Sequence, residues 1–172
     1  MKSNSEKKLT DTGSDERQVQ QVLAKYVRAA DNLDGEAMKE LFTKDGKVEV
    51  FYVNSGIAER LFVLNGPDEI ANAISNLMAP HPAGGWSHHT TNDHIIEVNG
   101  DVADIDAQFI RFDTLGAIRP QGGWPAGTVG LMGSVTATEA GYYRPTLKKE
   151  DGIWKLATHR IFHDLPFVMS GQ

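Results

Sequence analysis

Three imidazoles, three hydroxyls and an amide stand close together in Trp86-Ser87-His88-His89-Thr90-Thr91-Asn92-Asp93-His94, which runs straight into the apolar pair Ile95-Ile96. In a β-strand, alternate side chains share a face, so His88, Thr90, Asn92 and His94 lie on one side and His89, Thr91 and Asp93 on the other. The first set continues into Ile96 and Val98, whereas the second ends at Glu97. His88 is therefore the expected inward histidine, and His89 is the alternative. Polar side chains that face a covered interior need partners, and a substrate is one such partner. Imidazole titrates near neutrality, so a carboxylate that orients it makes an acid–base pair able to take a proton and return it. The carboxylate placed for this is Asp31, which follows Ala30 where an apolar helical stripe ends. Capping of the next turn by Asp31 and Asp34 is the competing reading of the same residues.

A metal site is the rival use of such a histidine strand. At roughly 3.3 Å per residue, His88 and His94 are too far apart along one strand to clasp an ion easily. His159 and His163 share a face of the last strand and could complete a two-histidine, one-carboxylate set. Neither a helical His-x-x-x-His nor a cysteine framework supports that reading, so no metal and no cofactor are expected.

The elements that must position these residues follow from periodicity. Residues 1–13 are polar and read as a disordered tail. Val19, Val22, Leu23, Tyr26, Val27 and Ala30 recur at helical spacing after Ser14, a candidate cap. Asp34 can cap a short second helix that carries Met38, Leu41 and Phe42 and ends near Asp45-Gly46. Strands are expected at Val48 to Tyr52 and Leu61 to Leu64, and a third helix carries Ile70, Ile74, Leu77 and Met78 up to Pro80. Beyond it, Asn99-Gly100 joins two strands as a hairpin, with Val102 to Phe112 returning. Residues 113–127 read as a long glycine- and proline-rich loop, suited to a lid or a subunit contact. Val129 to Lys148 and Ile153 to Phe162 form a last hairpin turning at Glu150-Asp151-Gly152. Helices come first and a mostly antiparallel sheet last, which is an α+β order. A curved sheet folded over helices leaves a central pocket. Its aromatic wall would draw on Tyr26, Phe109 and Tyr143, with Asn92 and Asp106 as polar contacts.

Composition limits the functions available. The chain has 172 residues, of which 40% are hydrophobic, enough for one core and a single domain over residues 14–172. Its net charge of −6 and its scattered Lys and Arg argue against nucleic acid. It has no cysteine, no apolar run that could span a bilayer and no signal-peptide core at Met1 to Lys8. A cytoplasmic protein with a small-molecule substrate and no membrane partner is the expectation.

Tyr26 to Asp31 with Asp34, Leu41-Phe42, His88-His89-Thr90-Thr91-Asn92, Asn99-Gly100-Asp101 and Gly141-Tyr142-Tyr143 leading to Asp151-Gly152-Ile153-Trp154-Lys155-Leu156 together resemble the SnoaL-like branch of the nuclear transport factor 2-like superfamily. The resemblance covers roughly residues 14–165. It implies a cystatin-like α+β cone and association into a homodimer or higher homo-oligomer. The scytalone-dehydratase pattern within that superfamily implies a pocket aspartate at Asp31 and a strand histidine, matched best by His88. Its second histidine falls near Ala107 or Gln108, and its later Ser and Asn positions near Gly141 and Tyr143, so that particular substrate is not expected. Asp104 and Asp106 supply carboxylates on a strand without reproducing the ketosteroid-isomerase arrangement. The implied activity is a cofactor-independent lyase or isomerase acting on a small cyclic hydroxylated compound. The alternative is a non-catalytic ligand-binding or assembly module similar to a ring-hydroxylating dioxygenase β-subunit.

Overall fold

The computed structural model describes residues 14–166, so the tail expected over residues 1–13 lies outside the described residues. Three helices, α1 (Asp15–Asp31), α2 (Gly35–Lys39) and α3 (Gly66–Asn72), combine with six strands, β1 (Phe42–Asn54), β2 (Ile57–Asn65), β3 (Gly85–Asn99), β4 (Val102–Gly116), β5 (Gly133–Glu150) and β6 (Ile153–His163). The strands form one sheet in the order β2-β1-β6-β5-β4-β3, antiparallel throughout except for the β1–β6 pair. This is the α+β architecture expected from the order of elements.

Helix α1 fills the hollow of the curved sheet and touches both the edge strand β3 and the inner strand β6. Val19, Leu23 and Tyr26 bury one stripe of α1 against Phe42, Phe109 and Leu156 from the sheet. Each end of the helix is tied down by a carboxylate. At the start Ser14 caps the helix, accepting from Arg17 N at 3.4 Å, and Asp15 accepts from Lys149 Nζ at 2.6 Å and Trp154 Nε1 at 3.0 Å. At the other end the chain leaves through a Schellman turn, in which Asp34 N donates to Ala29 O at 2.9 Å and Leu33 N to Ala30 O at 3.1 Å. Leu33 occupies the left-handed position there, with φ 54°, where glycine is usual. Asp34 caps α2 through Ala37 N at 2.9 Å.

Several boundaries differ from the periodicity reading. Helix α2 stops at Lys39, and β1 begins at Phe42, because Phe42 pairs with Leu156 of β6 and is fully buried. Strand β4 runs on to Gly116, since Asp113 and Thr114 pair with both β3 and β5, and the loop expected over 113–127 instead covers 117–132, with β5 starting at Gly133 and not at Val129. Helix α3 begins four residues before Ile70, at Gly66, and runs on as a π-turn over Ala73–Leu77. Among the described residues, no helix is long and apolar enough to cross a membrane.

The difference that decides the site is in β3. Residue pairing with β4 steps from Asn92↔Gln108 to Ile95↔Asp106, three residues against two, and Asp93 takes φ 50°. One extra residue in a strand reverses the alternation beyond it. Ser87, His89 and Thr91 therefore share the inner face with Ile96 and Val98, although their numbers are of opposite parity. His88 would face inward only on an unbroken strand, and the bulge leaves it exposed on the outer face.

A left-handed backbone suits glycine or aspartate and strains a β-branched residue by roughly 1–2 kcal/mol. Asp93→Val should therefore lower the melting temperature by about 2–8 °C at this chain length, whereas Asp93→Gly should leave it nearly unchanged. Thermal unfolding followed by circular dichroism checks this, and equal melting temperatures for the two variants would contradict the bulge.

Candidate active site

The inner face of β3 lies at the sheet edge, where every second backbone N–H has no neighbouring strand to bond. His89 sits opposite Arg111 of β4 and aims its own N–H away from β4, toward the end of α1. Asp31, the last residue of α1, meets it there. The carboxylate accepts from His89 N at 3.2 Å and 3.1 Å through its two oxygens, and its Oδ1 lies 2.7 Å from His89 Nδ1. Ser87 Oγ adds a long contact at 3.5 Å. The side chains of His89 and Asp31 are only 7% and 6% exposed, so this is an interior pair and not a surface ion pair. Asp31 caps no helix. A carboxylate at the negative end of a helix dipole is placed unfavourably, and the donors from β3 offset that.

An ionised carboxylate only accepts, so the short contact places a proton on Nδ1 and leaves Nε2 of a neutral His89 as an acceptor. Around the pair, His81 Nε2 lies 2.7 Å from the Asp31 backbone carbonyl, and its ring stacks on Trp86 at 4.6 Å. This closes the helix end from outside.

Below His89 the interior is aromatic. Phe109 stacks on Tyr143 at 4.1 Å, Tyr26 meets Tyr143 edge-on at 5.9 Å, and the His89 ring lies 6.2 Å from Phe109. Burial pushes the Tyr26 hydroxyl well above its ordinary pKa, and Glu139 adds to the effect. Tyr143 moves the same way, chiefly by burial and then by the neighbouring Tyr26. His159 is fully enclosed between these two phenols, 4.3 Å from Tyr26 and 4.9 Å from Tyr143, and neither of its ring nitrogens has a hydrogen-bond partner among the described residues. Its pKa falls to about 3 because burial penalises the charged ring.

Exposure rises outward along the cone. Arg111 and Glu139 side chains are 25% and 24% exposed and Asp113 42%. Arg111 holds these two carboxylates together, bonding Glu139 and donating from Nε to Asp113 at 2.9 Å. This rim stands between solvent and the dyad. Two surface hollows lie elsewhere. One of about 460 Å³ runs beside α1 and α2 over Lys25, Arg28 and Asp34, and one of about 240 Å³ on the outer sheet face is lined by Asp106 and Arg144. We place the candidate site in the cone, because there the buried acid–base groups converge.

The structure thus brings together Asp31, His89, Tyr26, Phe109 and Tyr143 from among the residues singled out by sequence. His88, Asn92 and Asp106 do not join them. Asn92 is exposed and bonds Asp93 at 3.1 Å, and Asp106 accepts from Arg144 Nε at 2.8 Å on the outer face. His159 and His163 share the buried inner face of β6, while His94 bonds Thr91 Oγ1 at 3.0 Å beside the bulge. Among the described residues, no three His, Asp or Glu side chains are grouped to hold a metal ion. Arg111 and Glu139 escaped the sequence reading. Strand parity puts both on the inner face, Arg111 from Phe109 and Glu139 from Tyr143, in the unbroken register Phe109↔Gly141 and Arg111↔Glu139.

The chain belongs to the SnoaL-like domain family, whose profile matches residues 11–160. None of the curated proteins matches it in sequence. Solved structures share the fold. A protein of unknown function with a cystatin-like fold from Nostoc punctiforme is 17% identical with a TM-score of 0.65, over 91% of this chain and 98% of that one. The assigned β subunit of an aromatic-ring-hydroxylating dioxygenase from Novosphingobium aromaticivorans also reaches 0.65 at 17% identity, over 91% and 93%. A protein assigned as a dehydratase of the NTF2-like family from Streptomyces avermitilis reaches 0.56 at 17% identity, over 87% and 97%.

The enclosed His159 makes stability depend on pH. Its folded pKa of about 3 lies below the ordinary 6.5, so the unfolded chain binds the extra proton and stability falls as pH drops through 6.5. The loss approaches 1.4 kcal/mol per pH unit, or about 2 kcal/mol by pH 5. His159→Phe should remove this part, shrinking the fall in melting temperature between pH 7 and pH 5 by about 4–8 °C. An unchanged pH dependence would contradict it.

Proposed function

We propose that the chain is a cofactor-independent lyase or isomerase of the dehydratase kind, acting on a small cyclic hydroxylated compound. The observation that carries this reading is the interior Asp31–His89 pair, with Nδ1 held at 2.7 Å from the carboxylate. Asp31 fixes the tautomer, and Nε2 of His89 takes a proton from the substrate and returns it to a departing hydroxyl or to another carbon. The aromatic wall of Phe109, Tyr143 and Tyr26 offers ring contacts to a cyclic substrate, and the two phenols offer it hydroxyls. The substrate enters past Arg111, Glu139 and Asp113. General acid–base groups of this kind contribute about 10²–10⁴-fold to a rate.

A second reading is a non-catalytic assembly module. The tight aromatic packing beneath His89 favours it, as does the likeness to a structure assigned as a dioxygenase β subunit. Under either reading the chain forms a homodimer or higher homo-oligomer through the outer sheet face, where Phe51 stacks on Phe162 at 4.8 Å and Ile95 is 65% exposed. Sedimentation of the purified chain tests the association, and a monomer at micromolar concentration would contradict it.

The two readings separate on activity. Cyclic hydroxy ketones offered to the wild-type protein should lose water or isomerise. Asp31→Asn and His89→Gln should each reduce turnover by about 10²–10⁴-fold with the circular dichroism spectrum unchanged, and His88→Ala should stay within about threefold of wild type. Equal activity in the Asp31 and His89 variants and wild type would remove the dyad as the catalytic pair.

A further inference from the structure

A second imidazole–carboxylate pair lines the same interior, and the proton transfers assigned above use neither member. His163, on β6, is buried on the inner face and meets Phe109 edge-on at 5.7 Å and 89°. The same Phe109 ring faces His89 at 6.2 Å, so the two imidazoles flank one aromatic surface from different strands. Nδ1 of His163 lies 3.9 Å from Glu139 Oε2. Glu139 is in turn fixed by Arg111, which Asp113 holds from its other side and which stands directly across from His89 in the β3–β4 pairing. The rim thus ties His163 through Glu139 to Arg111, at the strand position opposite His89. Burial pushes the His163 pKa below its ordinary value, while Glu139 works against that shift and His89 adds to it.

We propose that His163 is a second acid–base group of this site, positioned by Glu139, and that in water loss it takes over from His89 the protonation of the leaving hydroxyl, while His89 removes the carbon-bound proton. The inference rests on the acid–base reading of Asp31 and His89. In the step, His89 Nε2 takes the proton next to a carbonyl, and the C–H electron pair becomes the new C=C bond. The C–O bond breaks with its electron pair on oxygen, and that oxygen takes a proton from the imidazolium form of His163, which becomes neutral, and departs as water. His89 then loses its proton and His163 regains one through solvent across the half-exposed rim. Two imidazoles on separate strands reach the two reacting atoms without either ring having to turn from one to the other, which a single histidine would have to do.

The test separates the two proton transfers. Cyclic β-hydroxy ketones are supplied in D₂O, and deuterium entry at the α-carbon is followed beside loss of water. His163→Gln should cut water loss by about 10²–10³-fold with KM within about threefold, while α-deuterium entry stays within about threefold of wild type. His89→Gln should cut both by about 10²–10⁴-fold. Glu139→Gln should lower turnover and move the pH limb that belongs to His163 to lower pH, and Glu139→Asp should recover part of each. Loss of both processes in a folded His163→Gln, or of neither, overturns the role of His163 but leaves the dyad standing. Absence of both processes in wild type, or their survival in His89→Gln, overturns the dyad and with it this inference.

The pairing is also read without any substrate, by nitrogen NMR of the imidazoles in wild type and in Glu139→Gln. The His163 pKa should drop when the carboxylate is removed, and an unchanged value overturns the positioning by Glu139.

Discussion

The contact between the end of α1 and the unpaired edge of β3 organises the rest of the molecule. A sheet edge leaves backbone N–H groups unsatisfied, and a helix C-terminus disfavours a carboxylate. Asp31 meets both conditions at once by accepting from His89 N and Nδ1. The same contact closes the sheet around α1, whose other end Asp15 fastens to Lys149 and Trp154. The hydrogen bonds that shape the cone therefore also fix the histidine's ring orientation and tautomer. Shape and chemistry share one set of bonds, which is why the polar site can sit almost wholly buried without leaving its charge unpartnered.

Polarity inside the cone is layered. The floor is aromatic and holds His159 neutral between two phenols, the middle carries the Asp31–His89 pair with His163 across from it, and the rim carries Arg111 between Asp113 and Glu139. Charge thus increases toward solvent, as burial penalties require. The floor is apolar enough to suit a ring, and the rim bears more negative than positive side chains, which suits a neutral substrate better than an anion.

Much of this was legible in the chain. The α+β order, the capping of α1 by Ser14 and of α2 by Asp34, the hairpin after Asn99 and the family resemblance all followed from local rules, because caps and turns depend on neighbours in sequence. Asp31 and the histidine pair were found for the same reason. What escaped depends on partners far along the chain. The bulge at Asp93 reversed which histidine faces inward, and a strand reading that counts by twos has no means of seeing it. Phe42 left its predicted helix because β6 offered it a strand partner. Glu139 and His163 reach the site by the inner parity of β5 and β6, and what the chain does not show is the pairing that sets Glu139 beside Arg111 and His163 opposite Gly141.

The central claim is that Asp31 holds His89 with its proton on Nδ1 and its acceptor nitrogen, Nε2, free for chemistry. Long-range proton–nitrogen NMR of the imidazole rings tests this most directly. The account predicts that His89 near neutral pH is the Nδ1–H tautomer, with that proton shifted strongly downfield, and that Asp31→Asn abolishes both features. A His89 ring protonated on Nε2, or one indifferent to the loss of the carboxylate, would contradict the account.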